Sequence, residues 1–477
     1  MAEDRLMVSV SGVRGTIGGT LTPQVAYDFG CAYARMLGAG TKAVIGRDTR
    51  PSGPMIARAV SAGLLACGVN VVDLGVVTTP GVALMVRELQ ASGGVIVTAS
   101  HNPPEYNGLK FLQGLPGPAG PPASRQAGRA WAPSLAGAGL TAALAGTLAD
   151  IWRRRDFALA GVDGAGVETT DGSTHTRHIE AVCRICDVKA VAAGRFKVVL
   201  DSINGAGCFV TPMLLGRLGC EVVHINGEPT GRFAHQPEPI QENLTSLCEA
   251  VRRHGAAVGF AQDPDADRLV IVDEKGTFIG EEYTLALAAA HVLRHRTGKL
   301  ATNLATSRMI DDVAAAAGAE VVRAPTGEAN VVEAMQREGC IFGGEGNGGV
   351  IDPRVAPIRN SLVGMAMILQ QMAETGKAIS GLVGEIPSYV LVKTKMPCPA
   401  GAAGQVAARA RAAFESRPTA RFNDADGLRV DLPEGWVSIR GSNTEPVLRV
   451  FAEAADEATA RRLAAEVQAI AEEVVGR

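Results

Sequence analysis

Three aspartates occupy alternate positions in AQDPDADRLVIVD (261–273): Asp263, Asp265 and Asp267. Carboxylates this close repel one another, and a hard divalent cation is the counter-charge such a set accepts. An EF-hand opens similarly, and Glu274 even falls at its twelfth position, but Arg268 stands at the sixth, where that loop needs Gly. An apolar strand also follows where a helix would be required, so the spacing predicts a Mg2+ site on a strand-end loop. A second segment, TASHNPPEYNGLK (98–110), places Ser100 at the end of a strand and the entry to an Asn-Pro turn, where a hydroxyl can face a cleft. A serine is a weak nucleophile until a base, a metal or a covalent modification activates it. Lys110 lies close enough in sequence to share that site. The segment is not the G-x-S-x-G elbow of the α/β-hydrolases.

Two further segments look built for binding. FGGEGNGGVI (342–351) carries five Gly between positions 343 and 350, a pattern that predicts backbone brought close to a bound group. Its Glu345 and Asn347 offer directional hydrogen bonds suited to sugar hydroxyls. It is neither a P-loop nor a dinucleotide fingerprint. RGSNTEPVLRV (440–450) concentrates Arg440, Ser442, Asn443, Thr444 and Arg449, donors that suit a phosphate. Arg14 sits in the Gly-rich run SGVRGTIGG (11–19) and could face a phosphate as well. Cys183 and Cys186 form a lone C-x-x-C without a partner pair, which argues against zinc. His291 and His295, four apart without an H-E-x-x-H pattern, are expected on a helix surface.

These loops need elements to hold them. The 477 residues suffice for about three domains. Strand and helix signals alternate at 42–75 with 93–100, again at 196–226, and again at 299–325, which predicts βαβ units and largely parallel sheets. From about 386 onward, strand signals come first and an amphipathic helix closes the chain, as in a small α+β domain. The expected division is 1–157, 158–274, 275–374 and 386–477. Between Gly114 and Gly139, 18 of 26 residues are Gly, Pro or Ala, which predicts a loosely packed surface loop. A net charge of −3 gives no footprint for nucleic acid, and no apolar run is long enough to span a membrane. Acids at the start, and nine Cys with no disulfide pattern, suggest a cytoplasmic protein.

The four loops, in this order, resemble those of the α-D-phosphohexomutase superfamily: a serine loop like TASHNP, a metal loop like DGDADR, a sugar loop like GGEMSGH and a phosphate loop like RPSNTEP. The resemblance implies three related α/β domains with mixed, largely parallel sheets and a small α+β C-terminal domain around a central cleft. It implies that Ser100 is phosphorylated and completes a Mg2+ shell with Asp263, Asp265 and Asp267. By the same resemblance Arg14 and Arg268 stabilise the transferring phosphoryl group, Lys110 carries a proton, and His101 joins the catalytic set. Glu345 and Asn347 would read the sugar, while Arg440, Ser442, Asn443, Thr444 and Arg449 would clamp the non-reacting phosphate. The chain departs from the common bacterial pattern at Gly349, where His is usual, at Glu328, where several relatives carry a basic residue, and at Pro264 in place of Gly.

The implied reaction interconverts a hexose 6-phosphate and 1-phosphate through a hexose 1,6-bisphosphate. Glucosamine phosphate is the expected substrate, with mannose or glucose phosphate as alternatives. A serine phosphatase and a catalytically silent sugar-phosphate-binding protein are the competing readings. The oligomeric state, monomer or homodimer, leaves no mark in the sequence.

Overall fold

A computed structural model describes residues 5–116, 135–399, 401–441 and 447–476. Its first sheet has seven strands, ordered Met7–Ser9, Gly12–Thr16, Tyr106–Gln113, Gly93–Val97, Lys42–Arg47, Asn70–Val76 and Glu168–Thr170. The strands from Gly93–Val97 to Glu168–Thr170 run parallel, and the others are antiparallel to their neighbours. The second sheet is ordered Leu269–Val272, Val258–Gln262, Lys197–Asp201, Glu221–Ile225, and the third Gly349–Ile351, Phe342–Glu345, Leu300–Asn303, Val321–Ala324.

The same wiring runs through all three. Counted along the chain, a first strand (Lys42–Arg47, Lys197–Asp201 or Leu300–Asn303) pairs in parallel with the second on one side and the third on the other. A fourth strand then returns antiparallel beside the third. The repeat suspected from the alternation of signals is thus a repeat of topology. It also puts the serine loop, the metal loop and the sugar loop at one equivalent place, the connection from third to fourth strand. Loops beyond the carboxyl ends of such strands are where open α/β sheets collect their chemistry.

The C-terminal unit is a five-stranded antiparallel sheet, Val390–Pro397, Val447–Ala454, Gly435–Gly441, Leu428–Leu432 and Arg421–Asn423. Helices Ala402–Glu415 and Glu457–Val475 bury Val406, Phe414, Leu463 and Val467 against it. The second and third sheets share one continuous core containing Phe260, Leu269, Leu285, Phe342 and Leu362, so their loops are held in fixed relation.

Several expectations shift. Arg14, read as a loop residue, lies on strand Gly12–Thr16, and Lys110 lies on strand Tyr106–Gln113. Helix Gly207–Arg217 has Pro212 inside it, and its first residue, Gly207, lets the backbone lie against the Gln262 side chain. Strand Glu168–Thr170 lies past residue 157 yet closes the edge of the first sheet. Of the Gly/Pro/Ala-rich stretch, 117–134 lie outside the described residues. Its far end is not loose: Leu135, Ala136 and Ala138 are buried, and the Gln113 N–H donates to the Ala138 carbonyl at 2.7 Å.

Candidate active site

Ser100 is 1% exposed, and its Oγ donates to Asp263 Oδ2 at 2.9 Å, across 163 residues of sequence. Its backbone is left-handed, φ +50°. For a residue with a Cβ that conformation costs about 1–2 kcal/mol and persists only where neighbours enforce it. The enforcer is Arg50, wholly buried and absent from any motif noted in the sequence. Its Nη1 donates to the carbonyls of Pro103 (2.7 Å) and Tyr106 (2.9 Å), its Nη2 to those of Ser100 (2.8 Å) and Asn102 (2.6 Å), and its Nε to Asp48 (3.2 Å). Asp48 also accepts from Thr98 Oγ1, which in turn accepts from the Ser100 N–H. Burial raises the Asp48 pKa while Arg50 opposes it.

Asp263, Asp265 and Asp267 are fully buried, and one carboxylate oxygen from each lies within 4.8 Å of the others. Two of their oxygens, Oδ1 of Asp265 and of Asp267, have no hydrogen-bond partner. Burial, reinforced by Asp267 and Asp265, holds the Asp263 carboxyl well above its usual range. An all-oxygen, acceptor-only set with orphaned buried atoms fits a hard dication. Lys110 Nζ supplies part of the counter-charge, at 2.6 Å from Asp265 and 3.1 Å from Asp267, and its own pKa is raised by them against the effect of burial. Thr79 Oγ1 donates to Asp265 at 2.6 Å, joining the first unit to the metal loop. Glu274 is engaged elsewhere, accepting from the Ser380 N–H, so the EF-hand alternative is excluded.

Arg268 Nη2 donates to His101 Nδ1 at 3.0 Å, and Arg14 Nη1 to Asn102 at 2.8 Å. Burial, then the nearby Arg268 and Arg14, push His101 down to about 2, so it is a neutral acceptor.

A second buried arginine missed by the sequence reading ties the metal loop to the sugar loop. Arg359 donates to Asp267 (2.7 Å), Glu328 (2.9 Å) and Glu345 (2.8 Å). Glu328, the acid found where a base is common, is thereby its partner. A Cβ at Gly349 would lie 2.1 Å from Arg359 Cδ, so the missing side chain there makes room for this guanidinium. The sugar loop is a hairpin, Phe342–Glu345 and Gly349–Ile351, and its glycines serve packing more than ligand approach. Gly348 (φ +84°) lies against the Leu269 carbonyl, and the Leu269 N–H donates back to Gly348 at 2.9 Å. Glu345 also accepts from Asn303 and from the Gly327 N–H, while Asn347 Oδ1 has no partner.

Of the expected phosphate loop, Ser442, Asn443 and Thr444 lie outside the described residues. Arg440 and Arg449 are direct cross-strand neighbours, and Lys395 stands opposite Arg449 on its other side. Cross-strand neighbours share one face, so three cations stand in a row, an arrangement that is unfavourable without an anion. Asp426 pairs with Arg440 at 3.0 Å and accepts from the Thr326 N–H, next to the Gly327 that donates to Glu345. A chain of contacts therefore runs from the serine loop through the metal and sugar loops as far as Arg440.

Family models match most of the chain. Those for phosphoglucomutase/phosphomannomutase match as α/β/α domain I over residues 5–130, domain II over 175–276, domain III over 281–389 and the C-terminal domain over 391–470. The chain is 38% identical over 458 residues, 95% of each chain, to a protein of Methanopyrus kandleri named a probable phosphoglucosamine mutase. It is equally 38% identical over 456 residues to a phosphoglucomutase/phosphomannomutase of Thermococcus kodakarensis, covering 94% of this chain and 95% of that one. Among solved structures, a phosphoglucomutase/phosphomannomutase family protein of Burkholderia thailandensis superposes with a TM-score of 0.81 at 27% identity, covering 98% of both chains. No described helix is long and apolar enough to cross a membrane. With four domain matches in order and a buried serine set against an aspartate cluster, the chain belongs to the phosphoglucomutase/phosphomannomutase family of α-D-phosphohexomutases, enzymes of the isomerase class.

Proposed function

We propose that the enzyme converts glucosamine 6-phosphate and glucosamine 1-phosphate into one another through phospho-Ser100 and a bound hexose 1,6-bisphosphate. The observation that carries this is the 2.9 Å contact between Ser100 Oγ and Asp263, beside two unpartnered aspartate oxygens. In the first half-reaction a sugar hydroxyl attacks phosphorus, the P–O bond to Ser100 breaks, Lys110 gives its proton to the departing serine oxygen, and the amine left behind takes up the proton that the sugar hydroxyl loses. Lys110, protonated on Asp265 and Asp267, is the proton carrier we assign. Arg14 and Arg268 face the transferring group, with His101 and Asn102 fixing their direction. Asp263, Asp265 and Asp267, with the Ser100 phosphate, would hold Mg2+, which when bound neutralises phosphoryl charge and polarises the transferring group. Glu345 and Asn347 orient the sugar, and Arg440 and Arg449, with Ser442, Asn443 and Thr444, grip the other phosphate.

Turnover of the intermediate within the site exchanges the two phosphates, and the second half-reaction returns one to Ser100. The division at 1–157, 158–274, 275–374 and 386–477 belongs to this proposal, with Glu168–Thr170 lacing the second unit to the edge of the first sheet. The name of the M. kandleri relative favours glucosamine. The equally similar T. kodakarensis protein supports mannose or glucose phosphate as the second reading. A coupled assay across the three hexose 1-phosphates decides between them, and glucosamine should give the highest kcat/KM. Intact mass should find one phosphate on the active enzyme, absent from Ser100→Ala together with turnover. Mutase activity retained by Ser100→Ala would end the proposal.

A further inference from the structure

The helices Glu282–His295 and Ser361–Thr375 both start beside the active site. Glu282 accepts from the Ser307 N–H, and its carboxylate fills the space a Cβ on Gly346 would take; Ser361 donates to the carbonyl of Ala266 in the metal loop. The helices pack on each other through the shared core and carry their last turns about 20 Å away from the catalytic loops. At that far end His291 and His295, one turn apart on the first helix, face Glu374 of the second.

His295 and Glu374 are exposed, as expected of a helix surface, but His291 is not. His291 is only 5% exposed, and its Nδ1 has no hydrogen-bond partner. That nitrogen lies 3.8 Å from Glu374 Oε2, and His295 Nε2 lies 2.9 Å from the same oxygen. One atom from each of the three residues falls within 4.8 Å of the other two. Ligand atoms set tetrahedrally around an ion at 2.0–2.1 Å are about 3.3 Å apart, so these distances bracket what an ion needs. Gln370 Nε2 donates to the other Glu374 oxygen at 2.7 Å and aims the carboxylate. Such support of a ligand by a second hydrogen bond is typical of metal centres. The guanidinium of Arg354 is taken up by Asp352, which leaves the carboxylate of Glu374 to the two imidazoles.

We propose that His291 Nδ1, His295 Nε2 and Glu374 form a second metal site, for a zinc-class transition ion, that clamps the far ends of these two helices. Two imidazoles and one carboxylate select borderline ions, in contrast to the all-oxygen set at Asp263, Asp265 and Asp267. A neutral His295 binds with its proton on Nδ1 and its Nε2 lone pair toward the ion, and water completes the coordination.

Cobalt(II) titrated into the full-length enzyme in saturating Mg2+ tests this. One equivalent should give the intense visible bands of four-coordinate cobalt with nitrogen ligands, which an octahedral oxygen site does not give. His295 is partly exposed, so His295→Gln should fold normally, keep full Mg2+-dependent turnover, and bind Co2+ at least about 100-fold more weakly. Glu374→Gln should weaken binding likewise, and the rise in melting temperature that Zn2+ gives the wild type should vanish in both. Absence of the bands in the wild type, or equal binding by His295→Gln, would overturn the proposal and leave a plain histidine–carboxylate contact.

Discussion

Replacing Arg50 by Lys should leave Ser100 in the protein but out of place. The guanidinium makes four bonds to main-chain carbonyls of the serine loop and one to Asp48, all in a buried setting. Lysine carries its three donors on one atom and cannot reach carbonyls fanned around a planar fork, so two or more acceptors are left short. At about 1.5–3 kcal/mol for each charged hydrogen bond, the loss is about 3–6 kcal/mol. For a unit of about 150 residues that lowers the melting temperature by roughly 10 °C or more. The left-handed turn at Ser100 loses its restraint as well, and a shift of about 1 Å in a nucleophile costs on the order of 100-fold in rate. Steady-state assays should therefore find kcat down about 100-fold with KM little changed. Phosphate incorporation at Ser100, followed by intact mass, should slow in parallel. If Arg50→Lys kept kcat within twofold and melted within a degree or two of wild type, the argument that this side chain shapes the loop would be wrong.

Gly349→Ala should force Arg359 off its three carboxylates, because the new Cβ would lie 2.1 Å from a side chain pinned at its far end; we expect about 1–3 kcal/mol of lost stability and a clear fall in kcat, read by melting and by turnover. Asp265→Asn should raise the Mg2+ concentration for half-maximal activity at least about tenfold while the protein stays folded, as a metal titration with circular dichroism would report. Arg449→Ala should act mainly on KM, raising it about 10–100-fold for the loss of one charged phosphate contact. His178, 1% exposed and bonded to Asn360, is lowered by burial to about 4, whereas in the unfolded chain it titrates near 6.5. The native state thus binds fewer protons between pH 6.5 and 4, and stability should fall as pH drops through that window. The fall amounts to at most about 3 kcal/mol by pH 4, and His178→Gln should flatten the curve of melting temperature against pH.

What the sequence made legible was local. The aspartate trio stands out because alternate carboxylates before an apolar strand have few other uses, and the serine turn because Asn and Pro mark it. Arg50 and Arg359 were invisible for the opposite reason. Their partners lie up to 92 residues away and are mostly carbonyls or acids that any loop could supply, so no spacing announces them. Arg14 was assigned to a loop instead of a strand, since its Gly-rich flanks masked a short antiparallel strand. The sugar-loop glycines looked like ligand cradles because sequence cannot tell close approach to a substrate from close approach to a neighbouring strand. His291 was placed on a surface because nothing in its own helix reveals Glu374 on the next one.

The left-handed backbone at residue 100 sets durability against chemistry in this enzyme. Glycine there would relieve about 1 kcal/mol of conformational tension and erase the hydroxyl in the same stroke. A screen that rewards heat resistance alone would drift toward an inert molecule at this codon, and alanine, which keeps the tension and drops only the oxygen, is the cleaner silent form of the enzyme.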